Sequence, residues 1–128
     1  MDNLLYTYKA FVIKVYDGDS ITVLLNVGFD INIKTKLRLS LIDTPELRGE
    51  EREAGLVARD ALREKILNKE VFIKTEKDKT GKYGKYLATI YLSEPFLTES
   101  EGQSNFVNVN KWLIDNKYAT YYGTKTYL

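Results

Sequence analysis

The chain has 128 residues and a formal net charge of +1, with 44% hydrophobic and 29% charged residues. This length suits one domain around a single core, and no apolar run approaches the roughly 20 residues that span a bilayer. Because cysteine and histidine are both absent, disulfides, thiolate nucleophiles, sulfur-ligated zinc and imidazole bases are excluded, and any catalysis must use other side chains.

Alternating polar and apolar residues predict three strands in the first part of the chain. Residues 8–27 read as two strands joined by a turn at 16–19, where the sequence is Tyr-Asp-Gly-Asp. A third strand is predicted at about 33–42 and ends at Asp43-Thr44-Pro45, because proline donates no backbone hydrogen bond. One face of this strand carries Ile33, Leu37, Leu39 and Leu41, and the other carries Lys34, Lys36, Arg38 and Ser40.

A helix and two further strands follow. Between residues 50 and 68 apolar side chains recur every three or four positions, which predicts an amphipathic helix with Ala54, Val57, Ala58, Ala61, Leu62 and Ile66 on one face. Strands are predicted at 71–76 and 86–92, with the lysine-rich stretch 77–85 as a solvated hairpin loop. Residues 93–105 read as a long connection and 107–116 as a second helix, with Val109, Trp112 and Leu113 turned inward.

This order of elements predicts the fold class. Five short strands with one helix after the third suit a closed barrel better than a parallel sheet, which needs a helix at every crossover. We therefore expect one mainly β domain with helices (α+β) over residues 1–128. Its core should be a five-stranded OB-type barrel with a second helix near the C-terminus.

Two carboxylates are candidates for a metal site. Asp19 follows one strand turn and Asp43 ends the next long strand, so adjacent strands could bring both to one rim. Carboxylate and carbonyl oxygens suit calcium, magnesium or manganese. Taken separately, each aspartate has a plainer explanation as a turn residue.

Other polar residues can likewise be interpreted either as functional or as ordinary surface and turn residues. Arg38 could bind phosphate or be solvated surface, and Glu46 could accept a proton from water or be an exposed turn carboxylate. Lys82, Tyr83 and Lys85 belong to a loop that could hold a phosphate backbone and stack a base, or could serve solubility alone.

The joint pattern favours the functional interpretation. Asp-Gly-Asp-Ser-Ile-Thr-Val at 17–23, Leu-Arg-Leu-Ser-Leu-Ile-Asp-Thr-Pro-Glu at 37–46 and Lys-Tyr-Gly-Lys-Tyr-Leu-Ala at 82–88 occur in this order. The chain thus resembles the staphylococcal nuclease (thermonuclease) family over roughly residues 8–120. The most specific segment is the arginine followed, after five residues, by Thr-Pro-Glu.

The resemblance implies a calcium-dependent endonuclease that cleaves DNA and/or RNA with little sequence preference, leaving 5′-hydroxyl and 3′-phosphate ends. Asp19 and Asp43 resemble the family's calcium carboxylates, and the main-chain carbonyl of Thr44 resembles a third ligand. Arg38 resembles the phosphate-clamping arginine and Glu46 the proposed general base. A hard dication and a planar guanidinium would both oppose the charge that develops on the phosphate.

Two departures from the family pattern stand out. Lys85 occupies the position of a second arginine, which keeps the charge but loses the bidentate fork. The chain as given ends soon after Tyr121 and Tyr122, so we expect the family's last helix to be missing or truncated. These two tyrosines, with Lys82 and Tyr83, are the candidates for contacts with the nucleotide.

The function predicted is therefore that of a metal-dependent nuclease with Arg38, Glu46 and Lys85 as catalytic residues. The alternative is a catalytically weak or inactive OB-type module that binds nucleic acid or protein, and Lys85 favours it. We expect DNA and/or RNA as partner, no membrane association and a monomer. The start of the chain shows no basic leader with an apolar core, so a complete chain would be expected in the cytoplasm.

Overall fold

The computed structural model describes residues 5–80, 84–92 and 107–121, which together form seven strands and two α-helices. The strands are β1 (Thr7–Asp17), β2 (Ser20–Asn26), β3 (Asn32–Leu39), β4 (Ile42–Asp43), β5 (Glu70–Thr80), β6 (Tyr86–Tyr91) and β7 (Thr120–Tyr121). The helices are α1 (Arg52–Ile66), which a 3-10 turn at Gly49–Glu51 precedes, and α2 (Val109–Asp115).

Five strands close into a barrel in the order β1-β2-β3-β6-β5, and β4 and β7 form a separate short pair. Neighbouring barrel strands are antiparallel except β3 and β6, which run parallel with Leu37 opposite Tyr86. The predicted mainly β fold, the five-stranded barrel of OB type and both helices are confirmed. Helix α1 lies between β4 and β5 in the chain and packs against β1.

The barrel interior is built from the apolar residues of the alternating pattern. Side chains of β2 and β3 that point inward include Ile21, Val23, Leu25, Leu37 and Leu39. The prediction that Ile33 and Leu41 share this buried face is wrong, because they are 49% and 59% exposed. Ile33 lies at the start of β3, and Leu41 lies after β3 has ended.

The buried face of α1 also differs from the predicted one. It consists of Gly55, Ala58, Leu62 and Ile66. Ala54 and Val57 are exposed rather than buried. The buried stripe of α1 begins at Gly55. A glycine adds nothing to an apolar pattern in the sequence, so the pattern alone predicts part of the face wrongly.

Three predicted boundaries change. Strand β3 ends at Leu39 rather than near residue 42, and β5 continues to Thr80, which pairs with Tyr86. Four of the nine residues predicted as a loop are therefore strand. The second helix starts later than predicted, at Val109, where the Asn108 side chain caps it by accepting a hydrogen bond from the amide of Lys111.

The remaining predictions about elements concern residues outside the described ranges or the membrane. The predicted connection 93–105 lies outside the described residues. Within the described residues, every helix is too short or too polar to cross a bilayer.

Gly55 lets α1 pack directly on the chain segment that follows β4. A Cβ atom at this position would lie 2.3 Å from the carbonyl oxygen of Glu46 and 2.9 Å from that of Pro45. Both obstacles are backbone, which cannot rotate away as a side chain can. The packing of α1 therefore fixes the position of residues 45–46 relative to the barrel.

Because of this contact, we expect Gly55→Ala to destabilise the protein, the opposite of the usual effect of alanine in place of a helical glycine. Alanine inside a helix normally stabilises a protein by about 1 kcal/mol relative to glycine. Here the clash should reverse that gain and lower the free energy of unfolding by roughly 1–3 kcal/mol. Urea unfolding measures the change, with the exposed neighbour Ala54→Gly as the control, which should show only the ordinary propensity cost. A stabilised Gly55→Ala protein would contradict the packing described.

Candidate active site

A polar cleft of about 540 Å³ lies where the β1–β2 turn, the end of β3, the segment after β4 and the start of β6 meet. Six of the residues predicted from the sequence and lying within the described ranges line it, namely Asp19, Arg38, Asp43, Thr44, Glu46 and Lys85. Their convergence depends on the barrel topology, because they come from separate stretches of the chain.

Arg38 joins the two aspartates of the cleft. Its Nη1 lies 3.1 Å from Oδ2 of Asp19, and its Nη2 lies 3.3 Å from Oδ1 of Asp43. The same Nη2 donates a 3.1 Å hydrogen bond to the carbonyl oxygen of Ile42. The Arg38 side chain is only 11% exposed, so it is not solvated surface, and its planar fork suits binding to several oxygens at once.

Asp19 is buried at the bottom of the cleft by the turn that carries it. Its Oδ2 accepts a 3.1 Å hydrogen bond from the amide of Thr44, and its Oδ1 accepts a 3.4 Å bond from the Ser20 hydroxyl. Gly18 makes this approach possible, because a Cβ there would lie 2.8–2.9 Å from the side chain of Thr44. The Asp-Gly-Asp segment is thus a turn and also the docking point for Thr44.

A strained residue redirects the chain between Arg38 and Asp43. Leu41 has φ of 67° and an exposed side chain, a conformation that costs a leucine of order 1–3 kcal/mol. The turn that it makes buries Ile42. It also brings Asp43 back beside Arg38, with which it pairs.

Burial governs the protonation of Asp19. The pKa of this carboxyl is raised from 3.8 to about 6, first by burial and then by the hydrogen bond and charge of Asp17. Arg38 and the amide of Thr44 lower the pKa, but they do not outweigh burial and Asp17. A perturbed carboxyl in a cleft is a common sign of a functional site.

Glu46 lies at the rim of the cleft with a largely exposed side chain. Its Oε1 lies 3.4 Å from Nε of Arg48, and both side chains are solvated, at 64% and 88% exposure. Such a surface pair contributes little to stability, so the carboxylate can reorient toward a substrate. The main chain is held more firmly, because the amide of Glu46 donates a 2.9 Å hydrogen bond to Glu51.

Lys85 reaches the cleft from the start of β6. Its Nζ donates a 3.3 Å hydrogen bond to Oγ of Ser20, the hydroxyl that in turn contacts Asp19. Tyr121 is exposed and pairs through β7 with Ile42 of β4, beside the cleft rather than among its lining residues. Lys82, Tyr83 and Tyr122 lie outside the described residues.

The donor atoms of the cleft fit a hard cation. Two carboxylates, Asp19 and Asp43, lie close enough to contact one guanidinium, and Oγ1 of Thr44 is a buried atom without a hydrogen-bond partner among the described residues. No group of three or more acidic side chains with metal-site geometry occurs in the part of the chain described. A calcium ion would therefore need main-chain oxygen and water besides these two carboxylates.

Several lining residues were not predicted from the sequence. They are Tyr16, Asp17, Ser20, Leu47 and Arg48. Asp17 and Ser20 belong to the Asp-Gly-Asp-Ser segment, and the outward position of Ser20 on β2 was a usable signal. For Leu47 and Arg48 the only signal was their place directly after Glu46.

Comparison with known proteins agrees with the geometry. The family model described as "Staphylococcal nuclease homologue" matches residues 36–127, which is well over half of the chain. The chain belongs to this family. The match includes Arg38, Asp43, Thr44, Glu46 and Lys85, whereas Asp19 lies before it, so its place in the nuclease-homologue cleft follows from the barrel itself.

A relative from Methanocaldococcus jannaschii, "Uncharacterized protein MJ1439", is 29% identical over 136 residues. The alignment covers 90% of this chain and 59% of that protein. The nuclease-homologue chain thus spans 59% of the length of this relative.

The raised pKa of Asp19 predicts that Asp19→Asn stabilises the metal-free protein. A carboxyl with pKa about 6 in the folded chain and 3.8 as its ordinary value binds its proton more tightly when folded. Ionised Asp19 therefore lowers the free energy of unfolding as the pH rises from about 4 to about 6. Near pH 8 we expect Asp19→Asn to gain on the order of 1–3 kcal/mol, and near pH 4 little.

Urea unfolding in chelator at both pH values measures this difference. Asp43→Asn is the matched control, because Asp43 is exposed and pairs with the same arginine. It should show no gain. Destabilisation by Asp19→Asn at both pH values would contradict the stated cost of burying the charge.

Proposed function

We propose that this protein is a calcium-dependent endonuclease that hydrolyses DNA and/or RNA with little sequence specificity and leaves 5′-hydroxyl and 3′-phosphate ends. One observation carries the proposal: Arg38 and Lys85 share a cleft with two carboxylates and with Glu46 at its rim. Cations beside hard oxygen ligands suit a phosphodiester whose charge increases during attack by water.

Arg38 supplies the phosphate clamp in this proposal. Its guanidinium bridges Asp19 and Asp43 without substrate, so binding of a phosphate requires some of its donors to turn to phosphate oxygens. Two donors on one planar group can meet two oxygens together. Lys85 adds a second positive charge from the β6 side of the cleft.

Glu46 acts on the attacking water. Its carboxylate accepts a proton as the water oxygen bonds to phosphorus, the bond from phosphorus to the 5′ oxygen breaks, and that oxygen takes a proton from solvent to become the 5′-hydroxyl. Its solvated position supports this role, because nothing buried must move before it can reach a water molecule. The backbone contacts of Glu46 with Gly55 and Glu51 keep its starting point fixed.

Asp19, Asp43 and the main-chain carbonyl of Thr44 would hold calcium. Bound there, the ion would supply Lewis-acid stabilisation of a phosphate oxygen. Ionised carboxylates are required, and the pKa of about 6 for Asp19 without metal means that protons compete with the cation in weakly acidic solution.

A second candidate function is a nucleic-acid or protein binding module with weak or no catalysis. Lys85 is the feature that favours it, because an ammonium lacks the bidentate fork of arginine. The retention of Asp19, Asp43 and Glu46 in one cleft favours the enzyme, since a binding module has no need for all three.

The central test is cleavage of single-stranded DNA and RNA by the pure protein with calcium and then with chelator. We expect cleavage only with calcium, because carboxylates hold hard dications and the chain offers no softer ligand. Phosphatase treatment of the products should remove a terminal phosphate from the 3′ end. Equal cleavage with and without chelator would contradict the metal assignment.

Glu46→Gln is the matched control for contaminating nucleases. It changes one exposed atom, so the fold should persist, and turnover should fall roughly 100-fold or more. Unchanged turnover would mean that Glu46 has no catalytic role or that the activity belongs to another protein.

Lys85 provides a separate prediction. Lys85→Arg restores the bidentate fork and should raise single-turnover cleavage roughly 10- to 1000-fold, whereas Lys85→Ala should lower it. The effect should fall on turnover more than on substrate affinity, because the added hydrogen bond strengthens in the transition state. If neither substitution changes the rate, Lys85 does not contact the phosphate.

A further inference from the structure

The outer surface of β1, β2 and β3 carries a concentration of positive charge. Lys9 and Lys14 project outward from β1, and Lys34 and Lys36 from β3, and all four are exposed. We call this set the basic face. The outward residues of these strands include no carboxylate between residues 9 and 16, 20 and 26 or 32 and 38. The chain as a whole has a net charge of only +1, so the charge is local.

The strand register turns the basic face into a shallow trough. Lys14, Thr22 and Lys36 are aligned partners across the three strands, and Ser20 is aligned with Arg38. The outward residues of β2 are small here, and Ser20 and Thr22 are buried between the longer side chains of their neighbours. A depression of about 250 Å³ lies over them, bounded by Lys14 and Lys36.

The trough is continuous with the cleft. Tyr16, Ser20 and Lys85 line both the cleft and the depression. Along β3 the cations Lys34, Lys36 and Arg38 occupy alternate positions, roughly 7 Å apart. A polyanion seated on Arg38 would therefore meet further positive charge as it leaves the cleft.

The four lysines carry charge that the described residues do not neutralise. In the described part of the chain, none of them has a carboxylate within ion-pair distance. Like charges in neighbouring rows repel, and a bound polyanion relieves this repulsion while it releases its own counterions.

Aromatic side chains line the β1 side of the trough. Phe11 is 41% exposed and Tyr16 is 59% exposed, and both point outward among the lysines. Phe11 is aligned with Leu24, which is also exposed. Exposed aromatic rings beside a row of cations are the arrangement that stacks bases while phosphates bind alongside.

We propose that the basic face binds a single strand of nucleic acid over several nucleotides as it leaves the cleft, an inference that rests on the proposed nuclease function. The phosphates follow Lys36 and Lys34, with Lys14 opposite, and bases stack on Tyr16 and Phe11. A single strand fits better than a duplex, because the base faces of a duplex are covered by stacking and cannot reach aromatic side chains. An acidic protein would not need the exposed rings.

The test is fluorescence anisotropy with labelled oligothymidylate of about 12 nucleotides in chelator, so that binding is measured without hydrolysis. Replacing Lys14 and Lys36 together by glutamine should weaken binding roughly 10-fold or more at about 0.1 M salt. It should also reduce the slope of log affinity against log salt by about 1.4, the value for two phosphate contacts. Phe11→Leu, which keeps apolar bulk, should weaken binding at least about 5-fold through lost stacking.

The charge-matched control replaces Lys65 and Lys69, which lie in the separate depression beside Trp112, by glutamine. It should bind like the unaltered protein, and an equal loss in this control would overturn the basic face as a site. Polyglutamate of similar charge should compete poorly, and duplex DNA should bind more weakly than the single strand. Equal competition by polyglutamate, or tighter duplex binding, would overturn the assignment to a single strand.

A protein that binds oligothymidylate through Lys14 and Lys36 but never cleaves it with calcium would refute the nuclease and support the basic face. If the protein cleaves the oligonucleotide with calcium, and replacement of both lysines changes neither the Michaelis constant nor the binding affinity, the nuclease would be supported and the basic face refuted. The two proposals therefore fail separately.

Discussion

The cleft depends on the buried guanidinium of Arg38. It holds the β1–β2 turn to the segment after β3 through Asp19 and Asp43, and it also binds the carbonyl oxygen of Ile42. Removal of the guanidinium would leave the buried Asp19 carboxylate without its counter-charge, a loss that costs roughly 3–5 kcal/mol. Side chains that meet in the cleft therefore share one structural support. Glu46 and Lys85 are held differently, Glu46 through the contact of its backbone with α1 and Lys85 through β6 and a hydrogen bond to Ser20.

Energetically unfavourable local features are concentrated around Arg38. A carboxyl with a raised pKa is buried at Asp19, Leu41 adopts a left-handed conformation, and Oγ1 of Thr44 is buried with no hydrogen-bond partner in the described ranges. The rest of the barrel follows ordinary alternation with an apolar interior. Local rules are usually broken where function requires it, and here Asp19 and Thr44 both line the cleft.

Much of the barrel could be predicted from local patterns, because alternation along β2 and the three- to four-residue spacing along α1 are direct consequences of backbone geometry. Val57 was misassigned because the glycine that lets α1 approach carries no apolar signal. Leu41 was misassigned because alternation along β3 gives no sign of the left-handed φ that turns the chain after Leu39. The candidate residues of the cleft were found, but Arg48 and the contact of Lys85 with Ser20 depend on pairing between distant segments. The roles of these residues are a proposal, and their positions are structural facts.

The parallel pairing of β3 with β6 also has a consequence for synthesis. Leu37 is aligned with Tyr86, and this register is what carries Lys85 to the cleft. Antiparallel neighbours β1, β2 and β3 can form as soon as they leave the ribosome, since their contacts are local. The pairing of β3 with β6 requires residues beyond 85, and β5 must also pair with β1 to close the barrel. A growing chain can therefore pair β1, β2 and β3 before residue 85 has been made, and the cleft is complete only once β6 joins β3.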